Sequence, residues 1–381
     1  MKKKYNTIII GGGISGLACG RILADKKEDF LLLTKELGGR MRTSKSHLVD
    51  YGASYMTCDY TNVKKYCDYG DPIRSWDCYF IVGKTFITIC NWRVWLQLPK
   101  LIPIFFTLWD YRKRLNNLRQ RAIHEQQKDI LASDPVLKAY VKESGKKFVK
   151  DHKLEWINEN FFHPLFHSTG FTEYEKQNTF FYLDNLMAAL LPSYEVDFRH
   201  AVTRLTHGWH QRIDHTTVHS LTKSKGLYRV RTSKGHYTAK NVVIAMPYKF
   251  AKKIYKKTPK PKFNIPFHVI HVVGKREDAY KNKKVVFFKP KHHEITILWR
   301  QPTGSDIVFS KTLSPPLEKY YEYHHVVKTI SWDPAIVLSG DKWVSQKLDE
   351  GLYLASDYNI CGLEDAFITG VYAANQILKH G

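Results

Sequence analysis

The residues with the clearest chemistry are Gly11-Gly12-Gly13-Ile14-Ser15-Gly16. In this spacing the first glycine makes a tight turn, the second lets backbone approach a pyrophosphate, and the third lets a helix pack closely on a strand. The anion would rest on free N–H groups at the positive end of the helix dipole. Gly11, Gly13, Ile14, Ser15 and Gly16 are therefore the expected phosphate cradle. A carboxylate usually follows the next strand and bonds the ribose hydroxyls. This chain has Thr34-Lys35-Glu36 there, with Thr34 at the expected place and Glu36 two residues later. A hydroxyl holds ribose more weakly than a carboxylate does. A second cluster, Gly38-Gly39-Arg40-Met41-Arg42-Thr43, again combines close backbone approach with a guanidinium fork suited to phosphate.

These loops need rigid elements around them. Residues 5–10 form a short apolar, β-branched run that suits a central parallel strand, 15–24 read as a helix, and 30–33 as a second buried strand. This is a βαβ unit. Residues 79–88 look like a strand or hairpin, 92–130 and 135–191 are helical in pattern, and Pro99 and Pro103 are expected to break the first of these. Runs at 216–221, 228–232 and 242–246 read as strands, and those at 269–273, 285–288, 295–299 and 306–310 as a meander. A strand at 352–355 and a helix at 366–378 end the chain.

With Asp50-Tyr51-Gly52-Ala53, the first two motifs resemble the flavin amine oxidase, protoporphyrinogen oxidase and phytoene desaturase superfamily. The stretch up to Met56 is also similar to the renalases of that superfamily. Residues 239–247 resemble its return strand, and residues 351–358 with Gly362 its C-terminal signature. The resemblance implies an α/β fold: a Rossmann-like FAD-binding domain built from discontinuous segments, plus an α+β substrate domain. It implies FAD as cofactor, with Gly38, Gly39, Arg40 and Met41 near the phosphates and Thr34, Lys35 and Glu36 at the ribose. It places Val218 by the adenine through backbone, and gives Asp357 the bond to the ribityl chain, although Ser356 stands where glycine is usual. The helix starting near Leu363-Glu364-Asp365 would face the flavin ring. The expected FAD-binding segments are 1–75, 200–260 and 330–381, with a helical substrate segment at 76–199 and a β meander at 261–329.

Several other residues have plainer roles available. Trp299, Trp332, Tyr182 and Phe181 could line a flavin face, but buried aromatics are mostly core. Lys328 and Lys249 could sit near the flavin, yet surface lysines are common in so basic a chain, and no catalytic residue is assigned. The adjacent pairs His292-His293 and His324-His325 would point apart in strands, so no metal site is expected. The six cysteines show no C-x-x-C spacing, which suits a reduced, intracellular chain.

The formal net charge of +23 favours anionic partners such as nucleic acid, acidic lipid or a phosphorylated ligand. No nucleic-acid-binding motif is present. Residues 91–114 are the most unusual stretch, with Trp92, Trp95, Phe105, Phe106 and Trp109 followed by Arg112-Lys113-Arg114. Two readings stand: an interfacial helix on an acidic membrane, or a helix packed on the substrate domain. Ile104, Leu108, Tyr111, Leu115 and Leu118 recur at helical spacing. Function is then expected to be hydride removal by FAD from a lipophilic substrate, in a cytoplasmic protein that touches a membrane peripherally. The alternatives are an amine oxidase, and a non-catalytic flavin-binding protein using its basic surface.

Overall fold

The computed structural model describes residues 3–44, 46, 48–170, 173–289 and 292–380. Ile8, Ile9 and Ile10 are buried completely or nearly so, which only a strand covered on both faces achieves. They lie in Lys3–Gly12, the middle of five parallel strands ordered Leu352–Leu354, Gly235–Ile244, Lys3–Gly12, Phe30–Leu37 and Ile213–His215. A hairpin of Val218–Ser224 and Leu227–Thr232 leans on Gly235–Ile244. Helices Ile14–Asp25 and Leu363–His380 cover one face. They touch backbone to backbone: a side chain at Gly370 would collide with the Ser15 carbonyl oxygen.

A second, mostly antiparallel sheet has seven strands, ordered Tyr321–Leu338, Phe263–Arg276, Asp306–Ser310, Ile295–Arg300, Val285–Phe287, Cys78–Val82 and Thr85–Ile87. Helices between Leu98–Ala122 and Thr179–Leu190 share one apolar core with it. The mixed α/β architecture, a parallel Rossmann-like sheet beside a separate α+β layer, is the fold class expected.

Three details differ from the sequence reading. Pro99 and Pro103 do not break the helix, which runs Leu98–Ala122. Pro99 sits in the first turn, where N–H groups have no partner anyway, and Pro103 removes only the single bond to residue 99. The strand expected at 269–273 is the middle of Phe263–Arg276, which pairs with Tyr321–Leu338 rather than with the meander strand next in sequence. Residues 322–329 are exposed and show no apolar alternation, so nothing marks that partner strand in advance. The same strand crosses residue 330, where the C-terminal FAD-binding segment was expected to begin.

Candidate functional site

All the residues singled out around the glycine loop lie at the C-terminal ends of the parallel strands, where open α/β sheets bind ligands. The four glycines of the loop have different tasks. Gly11 has φ +118°, and a side chain there would collide with the Ala245 carbonyl. A side chain at Gly16 would strike the Gly11 carbonyl, and one at Gly12 the Thr34 hydroxyl. Gly13 is the exception: nothing lies within 4 Å of where its Cβ would stand. It is the N-cap of Ile14–Asp25, its backbone is extended, and no side chain caps the helix. The N–H groups of Ile14 and Ser15, in the first turn, therefore have no partner within the helix.

Thr34 is placed to brace this turn. Its hydroxyl accepts from Gly12 N–H at 3.1 Å and donates to the Glu36 carbonyl at 2.6 Å, so its one proton is already used. Glu36, the carboxylate near the strand's end, is exposed and pairs with Arg42 at 3.7 Å. Lys35 is exposed beside it. Thr216 N–H donates to the Thr34 carbonyl at 2.9 Å, which brings Thr217 and Val218 to the same end. Gly38 and Gly39 both have positive φ, Gly38 N–H donates to the Gly12 carbonyl at 2.8 Å, and Met41 is buried behind them. Gly52 packs on the Arg40 carbonyl so tightly that no other residue fits.

The far end of the chain closes the site. Arg40 donates to both oxygens of Asp357 at 2.8 Å, and also to the Ala335 carbonyl. Asp357 is 3 % exposed and Arg40 32 %. Nearby, Asp50 has one carboxylate oxygen buried without a hydrogen-bond partner among the described residues. Burial, with Asp197 and Glu195 adding to it, pushes the Asp50 carboxyl up to about 8.

The first turn of Leu363–His380 carries two buried acids. Glu364 accepts from the backbone N–H groups of Thr61, Asn62 and Val63 at 2.9–3.1 Å. Asp365 pairs with the buried Arg119 at 2.6 Å. Both are favoured by the positive helix end. Arg119 and Asp184 line an inner cavity of about 70 Å3 with Tyr60, Cys361 and Gly362. Burial pushes the Asp184 carboxyl up to about 7, against the pull of Arg119. Sequence reasoning missed Asp184 and Arg119. A lone acid inside the apolar helix Thr179–Leu190 was the available signal for the first.

This cavity shares Tyr55, Asn185 and Ala188 with an apolar chamber of about 150 Å3 between that helix and the second sheet. Phe80, Phe161, Phe287, Ile297 and Trp299 line the chamber. Of the other aromatics considered, Phe181 lines the inner cavity, Tyr182 bonds Asn158, and Trp332 donates to the Tyr51 carbonyl at 2.6 Å. Lys249 is exposed and paired with Asp333, and Lys328 lies 5.0 Å over the Tyr51 ring. The six cysteines are unpaired.

Among the described residues one group has metal-ligand chemistry: His163, His167 and Glu173, with donor atoms within 4.8 Å of one another. It was not among the histidine pairs considered from sequence. The spacing of four residues on one helix was the signal. His163 Nε2 and Glu173 Oε2 already bond each other at 2.8 Å, tying the helix His163–Gly170 to the segment after it.

The family pattern described as NAD(P)-binding Rossmann-like domain matches residues 9–69, which span the glycine loop, Arg40 and Gly52. A solved wild-type putrescine oxidase bound to putrescine superposes with TM-score 0.67 at 12 % identity, covering 100 % of both chains. The cyclohexylamine oxidase of Brevibacterium oxydans IH-35A does so at 0.63 and 14 %, over 99 % of each chain. A fatty acid isomerase of P. acnes gives 0.67 and 12 %, over 100 % of this chain and 99 % of its own. The chain shares the fold of these two amine oxidases and this isomerase. The likeness extends over its whole length, although the Rossmann-like pattern covers only residues 9–69. No curated protein matches the chain by sequence.

Proposed function

We propose that the chain binds FAD and is an oxidoreductase that removes a hydride from a lipophilic substrate. The observation that carries the cofactor is the contrast at the glycine loop. Gly11, Gly12 and Gly16 are packed shut, while Gly13 faces open space before an uncapped helix start. The residues present fit a dinucleotide: the Gly13 cradle for the pyrophosphate, Arg40 beside it, Glu36 at the ribose end, and Asp357 toward the ribityl chain.

When bound, FAD supplies the hydride acceptor, and dioxygen or another acceptor then takes the electrons away. The chain's own residues do the rest. The substrate chamber presents mostly aromatic and aliphatic walls. The inner cavity beside it offers Asp184, which takes the proton that leaves the substrate together with the hydride. Arg119 is held beside it by Asp365.

The apolar lining of the chamber supports a lipophilic substrate, and one structural neighbour is by name a fatty acid isomerase. Oxidation of an amine is the second reading, favoured by the two amine oxidases of the same fold. The test is anaerobic reduction of the flavin-loaded protein with a panel of long-chain lipids and amines. Bleaching by lipids alone supports the first reading, and bleaching by amines alone replaces it with the second.

A further inference from the structure

The outer face of residues 89–109 is apolar, and nothing in the described structure covers it. Helix Leu98–Ala122 turns Ile104, Leu108 and Tyr111 inward, yet on its other side Phe106 is 67 % exposed and Trp109 63 %. Trp92 and Trp95, on the short helix before it, are as open. Large aromatics clustered in water mark an interaction site, and tryptophan favours the boundary between water and lipid.

Beside this face lies an apolar cavity of about 320 Å3, lined by the inward Val94, Ile104 and Leu108 and by the exposed Leu98, Ile102 and Phe105 of the same segment. It shares Ile89, Phe161, Phe162 and Leu190 with the substrate chamber. Three cavities therefore follow one another from the aromatic face to the inner cavity. There Arg119 Nη1 is a buried donor with no hydrogen-bond partner among the described residues. That end suits a group which accepts a hydrogen bond.

Charge selects the occupant of the outer face. Residues 89–109 contain Arg93 and Lys100, both exposed, and no acid. Lys113 adds a third exposed cation. The neighbouring arginines contribute less than their sequence implies, because Arg112 pairs with Asp59, and Arg114 with Asp110 and Asp134. No helix among the described residues is long and apolar enough to cross a membrane, so contact through this segment would be superficial. An apolar face with tryptophans, a few cations and no acid matches an anionic bilayer.

We propose that residues 89–109 dock on an anionic lipid bilayer and form the mouth through which a long-chain lipid with a hydrogen-bond-accepting end enters the cavities. The proposal rests on the lipophilic-substrate reading above and adds where that substrate comes from. Arg119 receives the polar end, and the apolar chain lies along the two outer chambers.

The test is flotation of the full chain with phosphatidylcholine vesicles, with and without phosphatidylglycerol, beside the Phe106→Ser/Trp109→Ser double variant. Both side chains are exposed, so the variant should melt with the wild type. The expected result is flotation of the wild type with phosphatidylglycerol, reduced by salt, and about tenfold less for the variant. Should that variant fail to fold, Trp92→Ser, on the separate helix Trp92–Trp95, is read the same way. Leu190→Trp, placed where the two outer cavities meet, should lower uptake of a fluorescent long-chain fatty acid about tenfold while flotation persists. Wild-type protein left in the soluble fraction with both vesicle types overturns the docking. Unchanged fatty acid uptake in Leu190→Trp overturns the route. A colourless protein that floats and takes up fatty acid removes the flavin reading and leaves this one standing.

Discussion

Arg40 and Asp357 stand 317 positions apart in sequence and face each other through two 2.8 Å hydrogen bonds. The pair ties the glycine-rich second loop to the last strand's end, so the two chain termini build one site. Asp357 is the buried member and Arg40 the partly open one. Removing Arg40 leaves Asp357 buried without its cation, and removing Asp357 leaves Arg40 only the Ala335 carbonyl.

The first prediction concerns that pair. Arg40→Ala and Asp357→Ala should each lower stability by about 1–3 kcal/mol, the penalty for an orphaned buried charge partner. The double variant should lose less than the sum of the two, since the second deletion finds nothing left to break. Both single variants should also weaken FAD binding in titrations followed by flavin fluorescence. Additive losses would mean that the pair is incidental.

A second prediction uses pH. Burial holds the Asp50 carboxyl at about 8, so the folded chain keeps that proton where the unfolded chain, with an ordinary aspartate, has lost it above about pH 4. Between these values the unfolded state binds fewer protons, so stability falls as pH rises, and the decline stops above about 8. Asp50→Asn should remove this decline. Melting temperatures from pH 5 to 9 should show the variant gaining on the wild type up to about pH 8 and running parallel above it. A constant gap across the range would sink the assignment.

A third prediction follows Asp184. As proton acceptor it must be ionised, and burial holds its carboxyl near 7. Anaerobic flavin reduction by the active substrate should therefore speed up as pH rises through about 7. In Asp184→Asn this limb should vanish, with reduction slower by about 100-fold or more. A variant with the wild-type rate and profile would remove Asp184 from the chemistry.

How far the sequence alone reaches is visible at particular residues. The glycine loop was legible because its strand, turn and helix are local, and the spacing of the glycines encodes the turn. Thr34 shows the limit: the sequence places it at the ribose position, but only the fold reveals that its hydroxyl is consumed by Gly12 and Glu36. The inward stripe Ile104, Leu108, Tyr111, Leu115 and Leu118 was legible as a helical period, and all five are buried. Whether Phe106 and Trp109 face core or water was not, because an apolar residue type alone does not say which side is covered. The Arg119–Asp365 contact with Asp184 nearby joins three distant segments, and no local pattern announces it.

The central claim is that FAD's pyrophosphate rests on the loop at Gly13, and one substitution tests it most directly. Gly13 has an ordinary backbone conformation and no atom within 4 Å of its Cβ position, so Gly13→Val should weaken the fold by no more than about 1 kcal/mol, the cap preference alone. Its side chain would stand in the space reserved for the phosphates. The measurement is FAD binding by isothermal titration, with thermal melting of the FAD-free proteins alongside. The account predicts a variant that melts close to the wild type and binds no FAD. A variant that melts normally and binds FAD as the wild type does would contradict it.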